Sequence, residues 1–190
     1  MAMDDNALMV PGIGHLYFQE IADTDAVVPP PDPMAPDPLL WPEVGHTSRE
    51  APFNITHEGG EVTTHGTWQK PAARTSQTPL TRGVTFTLLQ WDLLAFRMYY
   101  GAQGALDTDG YFMVPDNPDP ITGALFARID DGGYYVPIFM PRVQITRAAD
   151  VEMDAENLSG HPVRAALLSR SGFPWQFKIK PKEPIPAPTP

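Results

Sequence analysis

At 190 residues and a net charge of −10, the chain is long enough for one domain with a substantial core and too short for two of ordinary size. It has no cysteine, which excludes disulfides, cysteine-ligated zinc, iron–sulfur clusters and cysteine nucleophiles. Its 13 Lys and Arg are scattered among 23 Asp and Glu, the opposite of the clustered basic surface that phosphate binding uses.

Residues 1–12 read as a flexible arm. Asp4 and Asp5 stand where a secretory signal would carry Lys or Arg, and no apolar run reaches the length of a membrane span, so the expected product is soluble, cytoplasmic and not membrane-bound. His15–Ile21 is a strand signal, with Leu16 and Phe18 facing opposite to Tyr17 and Ile21. Val27–Pro42 (VVPPPDPMAPDPLLWP) is too rich in proline for a central strand or helix, because proline lacks the ladder donor and fixes its backbone angle. It is a stiff loop able to reach a neighbouring subunit, with Pro30, Pro31, Leu39, Leu40 and Trp41 as candidate contacts. The competing reading packs it on its own domain through Leu39, Leu40 and Trp41. Because it contributes few ladder bonds, its removal is expected to leave the domain folded.

From Glu61 to Gln69 the residues alternate in the two-residue period of a strand, and a second strand starts at Val84. Asp92 is a suitable helix N-cap and Gly101 a suitable terminator, and the residues between them leave almost no polar face, so this short helix is expected to be buried against a sheet. Turn signals at Asp107–Gly110, Asp116–Pro120 and Asp130–Gly133 then separate short strands at Tyr111–Val114, Ala124–Ile129 and Tyr134–Thr146. Pro137 and Pro141 point to an edge or a bulge in the last of these. Val163–Leu168 and Trp175–Lys180 complete the strands, with Trp175, Phe177 and Ile179 expected inward, and Pro181–Pro190 reads as an extended tail. The fold class is therefore mainly β: an antiparallel sandwich or barrel over residues 13–180, with one flanking helix, the inserted proline-rich loop and extended termini.

The chemistry-bearing patterns are weak. His57, Glu58 and His65 fail the helical HExxH spacing, and two glycines sit where the helix would run. Asp107–Gly110 begins like a calcium loop but lacks its remaining ligands. Asp150, Glu152, Asp154 and Glu156 would share one face if the segment were a strand, which mutual repulsion would turn toward solvent or a lumen; it could equally be a helical turn or loop, and a solvated face is the default. No nucleophile elbow, phosphate-binding loop or dinucleotide fingerprint is present.

Several word-like matches do carry meaning: Gly45-His46-Thr47-Ser48, Gly59-Gly60-Glu61, Gly66-Thr67-Trp68-Gln69, the strand-to-helix run ending in Tyr99-Tyr100-Gly101, Phe139-Met140-Pro141-Arg142 and the segment Val151–Leu168. Across residues 13–180 the chain resembles the major tail tube proteins of long, non-contractile-tailed phages, especially those infecting actinobacteria. Val27–Pro42 is longer and richer in proline than that resemblance leads one to expect. The resemblance implies hexameric rings stacked into a tube around a tape measure protein, closed by tail terminator and tail tip proteins. It implies a virion protein assembled in the host cytoplasm, with DNA only in transit and neither catalytic residue nor cofactor. Six copies would place on the order of 60 net negative charges in each ring, and acids facing the lumen would repel DNA. Glu58, Glu61, Asp150, Glu152 and Asp154 are the candidates for that wall. The rival readings are a tail-terminator or baseplate-ring protein of the same fold, a module binding carbohydrate or a receptor through Tyr134 and Tyr135, and a metal-dependent hydrolase using His57, Glu58 and His65.

Overall fold

The computed structural model describes residues 3 and 7–186. The strands in chain order are β1 (Ile13–Glu20), β2 (Asn54–Gly59), β3 (Val62–His65), β4 (Arg74–Gln77) and β5 (Leu80–Leu88). The helix α1 (Leu93–Tyr100) follows, then β6 (Ala105–Leu106), β7 (Phe112–Met113), β8 (Ile121–Asp131), β9 (Tyr134–Arg147), β10 (His161–Leu167), β11 (Lys178–Ile179) and β12 (Glu183–Pro184). The main sheet runs β1-β8-β9-β10-β5-β2, with β11 and β12 added on β9, and all its pairings are antiparallel.

The sheet curls until its margins meet. Val44 donates its N–H to Leu16 O (2.8 Å) and Phe18 donates to Pro42 O (3.1 Å), while Ser48 donates to Thr87 O (2.9 Å) and Leu89 to His46 O (2.9 Å). Residues 42–48 thus join β1 to the end of β5, and the mainly β, one-helix architecture expected from the sequence takes a barrel-like form. Alternation on β1 works as anticipated: Leu16 and Phe18 enter the interior with Phe86, Leu88, Leu125, Met140 and Ile145, and Tyr17 enters a second core on the other face.

That second core depends on the proline-rich segment. Trp41 is 3% exposed and meets Phe126 and Phe139 edge-on at 6.2 and 6.0 Å, with Val27 beside it. Buried Arg128 fastens the segment, donating to Met34 O (3.2 Å) and pairing with Asp130 (2.9 Å), and buried Arg170 holds the chain just before it, donating to Ala22 O (3.2 Å), Asp25 O and Pro141 O (3.0 Å). The expectation that Val27–Pro42 is dispensable for folding is therefore corrected, because removing it would uncover apolar β8 and β9 side chains and take from buried Arg128 its carbonyl partner at Met34. Leu39 and Leu40, expected to anchor it, are exposed; Trp41 alone of the three does so.

Proline placement on β9 also departs from expectation. This strand is central, yet Pro137 costs no ladder bond to β8: its carbonyl accepts from Lys180 N–H on the other margin, in the gap between the β11 and β12 pairings. Pro141 does lie at a bulge, where the register between β8 and β9 shifts around Ala124. Other boundaries move too. The Glu61–Gln69 strand stops at His65, the Trp175–Lys180 strand shrinks to β11 with Ile179 exposed, and of the readings open for the Asp150–Glu156 acids the structure has the loop.

The termini are tied where they are described. Val10 N–H donates to Asp131 Oδ2 (3.1 Å), and Lys182 Nζ bridges Leu8 O (2.8 Å) and Asp131 (2.7 Å) while β12 pairs with β9. The outer parts of the expected arm and tail, residues 1, 2, 4–6 and 187–190, lie outside the described residues.

The helix is capped as anticipated, with Asp92 Oδ1 accepting from Ala95 N–H at 2.9 Å, and it buries Ala95, Met98 and Tyr99 against β9 and β10. Beside it His161 is fully buried, its ring 4.6 Å from Trp91 and 5.2 Å from Tyr99, and neither ring nitrogen has a partner among the described residues. Burial holds the imidazole below its ordinary pKa, opposed by the Asp92 carboxylate. The unfolded chain therefore binds a proton that the folded one refuses. Stability from this site is full above about pH 6.5 and is lost as pH falls from there toward the folded pKa, at up to about 1.4 kcal/mol per pH unit. His161→Phe should flatten that part of the curve, measured as the melting temperature at pH 7.5 and 5.5. Equal pH slopes in both proteins would refute the assignment.

Candidate assembly surfaces

The feature with no role in the core is a long hairpin. β2 pairs with β5 inside the sheet and β3 with β4 beyond it, so residues 60–79 form an arm that continues the β2–β5 hairpin and turns at 66–73. Glycines at the junction bend it: Gly59 and Gly60 have φ of 78° and 76°, and a side chain at Gly59 would collide with Pro79 O. Glu61 and Thr78 bridge the break through Glu61 N–H to Thr78 Oγ1 and Thr78 N–H to Glu61 O, both 3.0 Å. Every residue from Glu61 to Thr81 is exposed, including Val62, Leu80 and Trp68, whose indole is wholly in solvent. Basic residues are less scattered than composition indicates. No Asp or Glu occurs between Glu61 and Asp92, and Lys70, Arg74 and Arg82 all lie there.

The candidate lumen acids divide into two places. Glu58 and Glu61 lie on the arm, where Arg164 hydrogen-bonds Glu58 at 2.7 Å and holds its carboxyl below the ordinary range. Asp150, Glu152 and Asp154 lie in the β9–β10 loop at the opposite end of the strands. There Asp154 accepts from Glu156 N–H (3.0 Å) and is likewise held low, while Asp150 and Glu152 are exposed. Of the candidate loop contacts, Pro30 and Trp41 are buried, and Pro31, Leu39 and Leu40 are exposed.

Two rival sites lose their geometry. Tyr135 is buried with its hydroxyl donating to Glu183 (2.9 Å), and Lys182 covers the Tyr134 ring at 4.8 Å, so the two tyrosines form no open aromatic platform. His65 bonds Ser76 (2.8 Å) and Glu58 is held by Arg164; among the described residues no three His, Asp or Glu converge for a metal. A half-open groove of about 970 Å³ runs between the start of β1 and residues 45–54, floored by Leu16, Phe53 and Ile129 and rimmed by a His15–Glu43 pair (2.9 Å).

A family model described as phage tail tube protein matches residues 1–186. The chain belongs to the phage tail tube protein family. It is similar to the major tail protein Gp23 of Mycobacterium phage L5, 29% identical over 187 residues covering 92% of this chain and 93% of the relative. It is also similar to Gp23 of Mycobacterium phage D29, 28% identical over 190 residues with the same coverage. For this tail tube family member, the resemblance drawn from residues 13–180 extends over the whole matched length. The arm as a single exposed unit was missed from sequence. Its available signals were the glycine pair at one side and Thr78-Pro79 at the other, flanking a stretch whose one acid is Glu61.

Proposed function

We propose that the chain is a structural subunit that self-associates into hexameric rings, and that these rings stack into the tail tube. In this reading the tube forms around a tape measure protein, ends on terminator and tip proteins, and passes genomic DNA without binding it specifically. Assembly takes place in the host cytoplasm and the product resides in the virion tail, with no membrane step and no catalysis. The observation that carries the reading is the arm in a tail tube family member, with Val62, Trp68 and Leu80 left in water on a hairpin that shares none of its tip with the core. Exposed aromatic and aliphatic groups on one projecting element mark an association surface. The ridge of Pro31, Leu39 and Leu40 is a second candidate contact, presented by a loop that Trp41 and Pro30 lock in place. Net charge of −10 supports a lumen that repels DNA, with Glu61, Asp150 and Glu152 as its exposed candidates and Glu58 and Asp154 as partly engaged ones.

Light scattering and sedimentation test this directly. Purified protein should remain a monomer pool below a threshold concentration and polymerise above it, with the lag removed by pre-formed seeds. A monomer that persists at millimolar concentration in the presence of seeds would refute the reading.

A further inference from the structure

The two ends of the subunit carry opposite chemistry. Leu88 pairs with His161, Val163 with Arg147 and Ile121 with Ile145, so the end of β5, the end of β9 and the starts of β8 and β10 share one end of the barrel. The β6–β7 hairpin and the segment running to Pro120 project from that end, between α1 and β8. Residues 98–127 contain no Lys or Arg, and Asp109 and Asp116 within them are exposed, with carboxylates that make no hydrogen bond or ion pair among the described residues. Around these acids Tyr111, Met113 and Val114 are more than half exposed. The arm leaves from the other end, beyond Leu80, with Trp68, Lys70 and Arg74 at its tip.

We propose that the basic, Trp68-bearing arm of one copy docks on the acidic, Tyr111-bearing β6–β7 end of a second copy. The inference rests on the reading of the arm as the assembly element and names its partner surface. An arm cannot reach the acidic end of its own barrel. The nine residues of β5 alone span about 30 Å between the two ends, and the arm beyond them is exposed from Glu61 to Thr81, lying against no part of its own barrel. The contact is therefore heterologous, the type that propagates into rings or filaments instead of closing on a pair. Charge complementarity sets its orientation and speeds encounter, and the tryptophan and tyrosine supply an apolar centre. The β9–β10 loop shares the acidic end but exposes fewer apolar groups, Met153 and Leu158, and is not the docking surface.

A charge swap tests the assignment. Lys70→Glu with Arg74→Glu, and separately Asp109→Lys with Asp116→Lys, should each raise the polymerisation threshold at least about tenfold, because like charges then oppose across the contact. All four changes in one chain should bring the threshold back to within about threefold of the parent. Asp150→Lys with Glu152→Lys should leave it unchanged. All positions are exposed, and melting temperatures verify the fold of each variant. Failure of the four-fold variant to recover, or a threshold shift as large from the Asp150 and Glu152 pair, overturns the docking assignment. If the Lys70 and Arg74 pair leaves polymerisation intact but abolishes retention of duplex DNA in a gel shift, the arm is a nucleic-acid contact and the proposal fails. If a chain with its arm shortened still polymerises normally, the underlying reading of the arm fails instead.

Discussion

Replacing residues 60–79 by Asn-Gly should abolish polymerisation and leave the barrel folded. Gly59 and Leu80 face each other across the ladder, so a two-residue turn closes β2 on β5 with the twist that hairpins favour. Nothing buried is removed: Glu61 through Thr81 are exposed, and the interior contributed by this region begins at Gly83 and Val84. Far-UV circular dichroism and the melting temperature should therefore match the parent to within a few degrees, while pelleting of polymer falls to background. The single change Trp68→Ser should act in the same direction, raising the threshold by roughly thirtyfold if the indole is a central contact of about 2 kcal/mol. Polymer from the shortened chain at the parent's threshold would remove the arm from any account of assembly.

Trp41→Ala should destabilise the monomer by about 3–5 kcal/mol, a large part of the stability of a domain this size. The indole is packed between Phe126 and Phe139 on the outer face of β8 and β9, and its loss leaves a cavity that the stiff flanking prolines cannot close. Leu39→Ala, two residues earlier and 91% exposed, should change stability by less than about 0.5 kcal/mol. Urea unfolding of the two variants side by side measures the contrast. Equal midpoints would mean that the proline-rich segment is an appendage, as its composition alone leads one to expect.

The contrast between these two residues shows what was legible. Period-two alternation in His15–Ile21 identified the strand and the face of each side chain, because both faces of β1 are buried and the pattern needed no tertiary information. Asp92 and Gly101 bounded the helix because capping is local chemistry. Alternation misled at Glu61–Gln69, where no face is buried and hydrophobic periodicity has nothing to report; the turn at 66–73 follows from hairpin pairing with β4. Proline counting misled at Val27–Pro42, since the absence of ladder donors excludes a strand but not burial, and Trp41 and the Met34 carbonyl find their partners on β8 and β9, far away in sequence. The spacing of the acids at Asp150–Glu156 left strand, helical turn and loop open, and the Asp154 turn that organises them as a loop rests on backbone hydrogen bonds that spacing does not encode. The two-ended charge distribution was visible only in part, as stretches without acids or without bases, because which end each occupies depends on strand order.

Cryo-electron microscopy of the polymer formed by the purified protein tests the central claim most directly. The account predicts hollow tubes of stacked rings with six-fold rotational symmetry, and continuous density from the Gly59–Leu80 end of each subunit to the β6–β7 end of another. Discrete closed oligomers that never stack, or tubes in which the arms stay free of every neighbouring subunit, would contradict it.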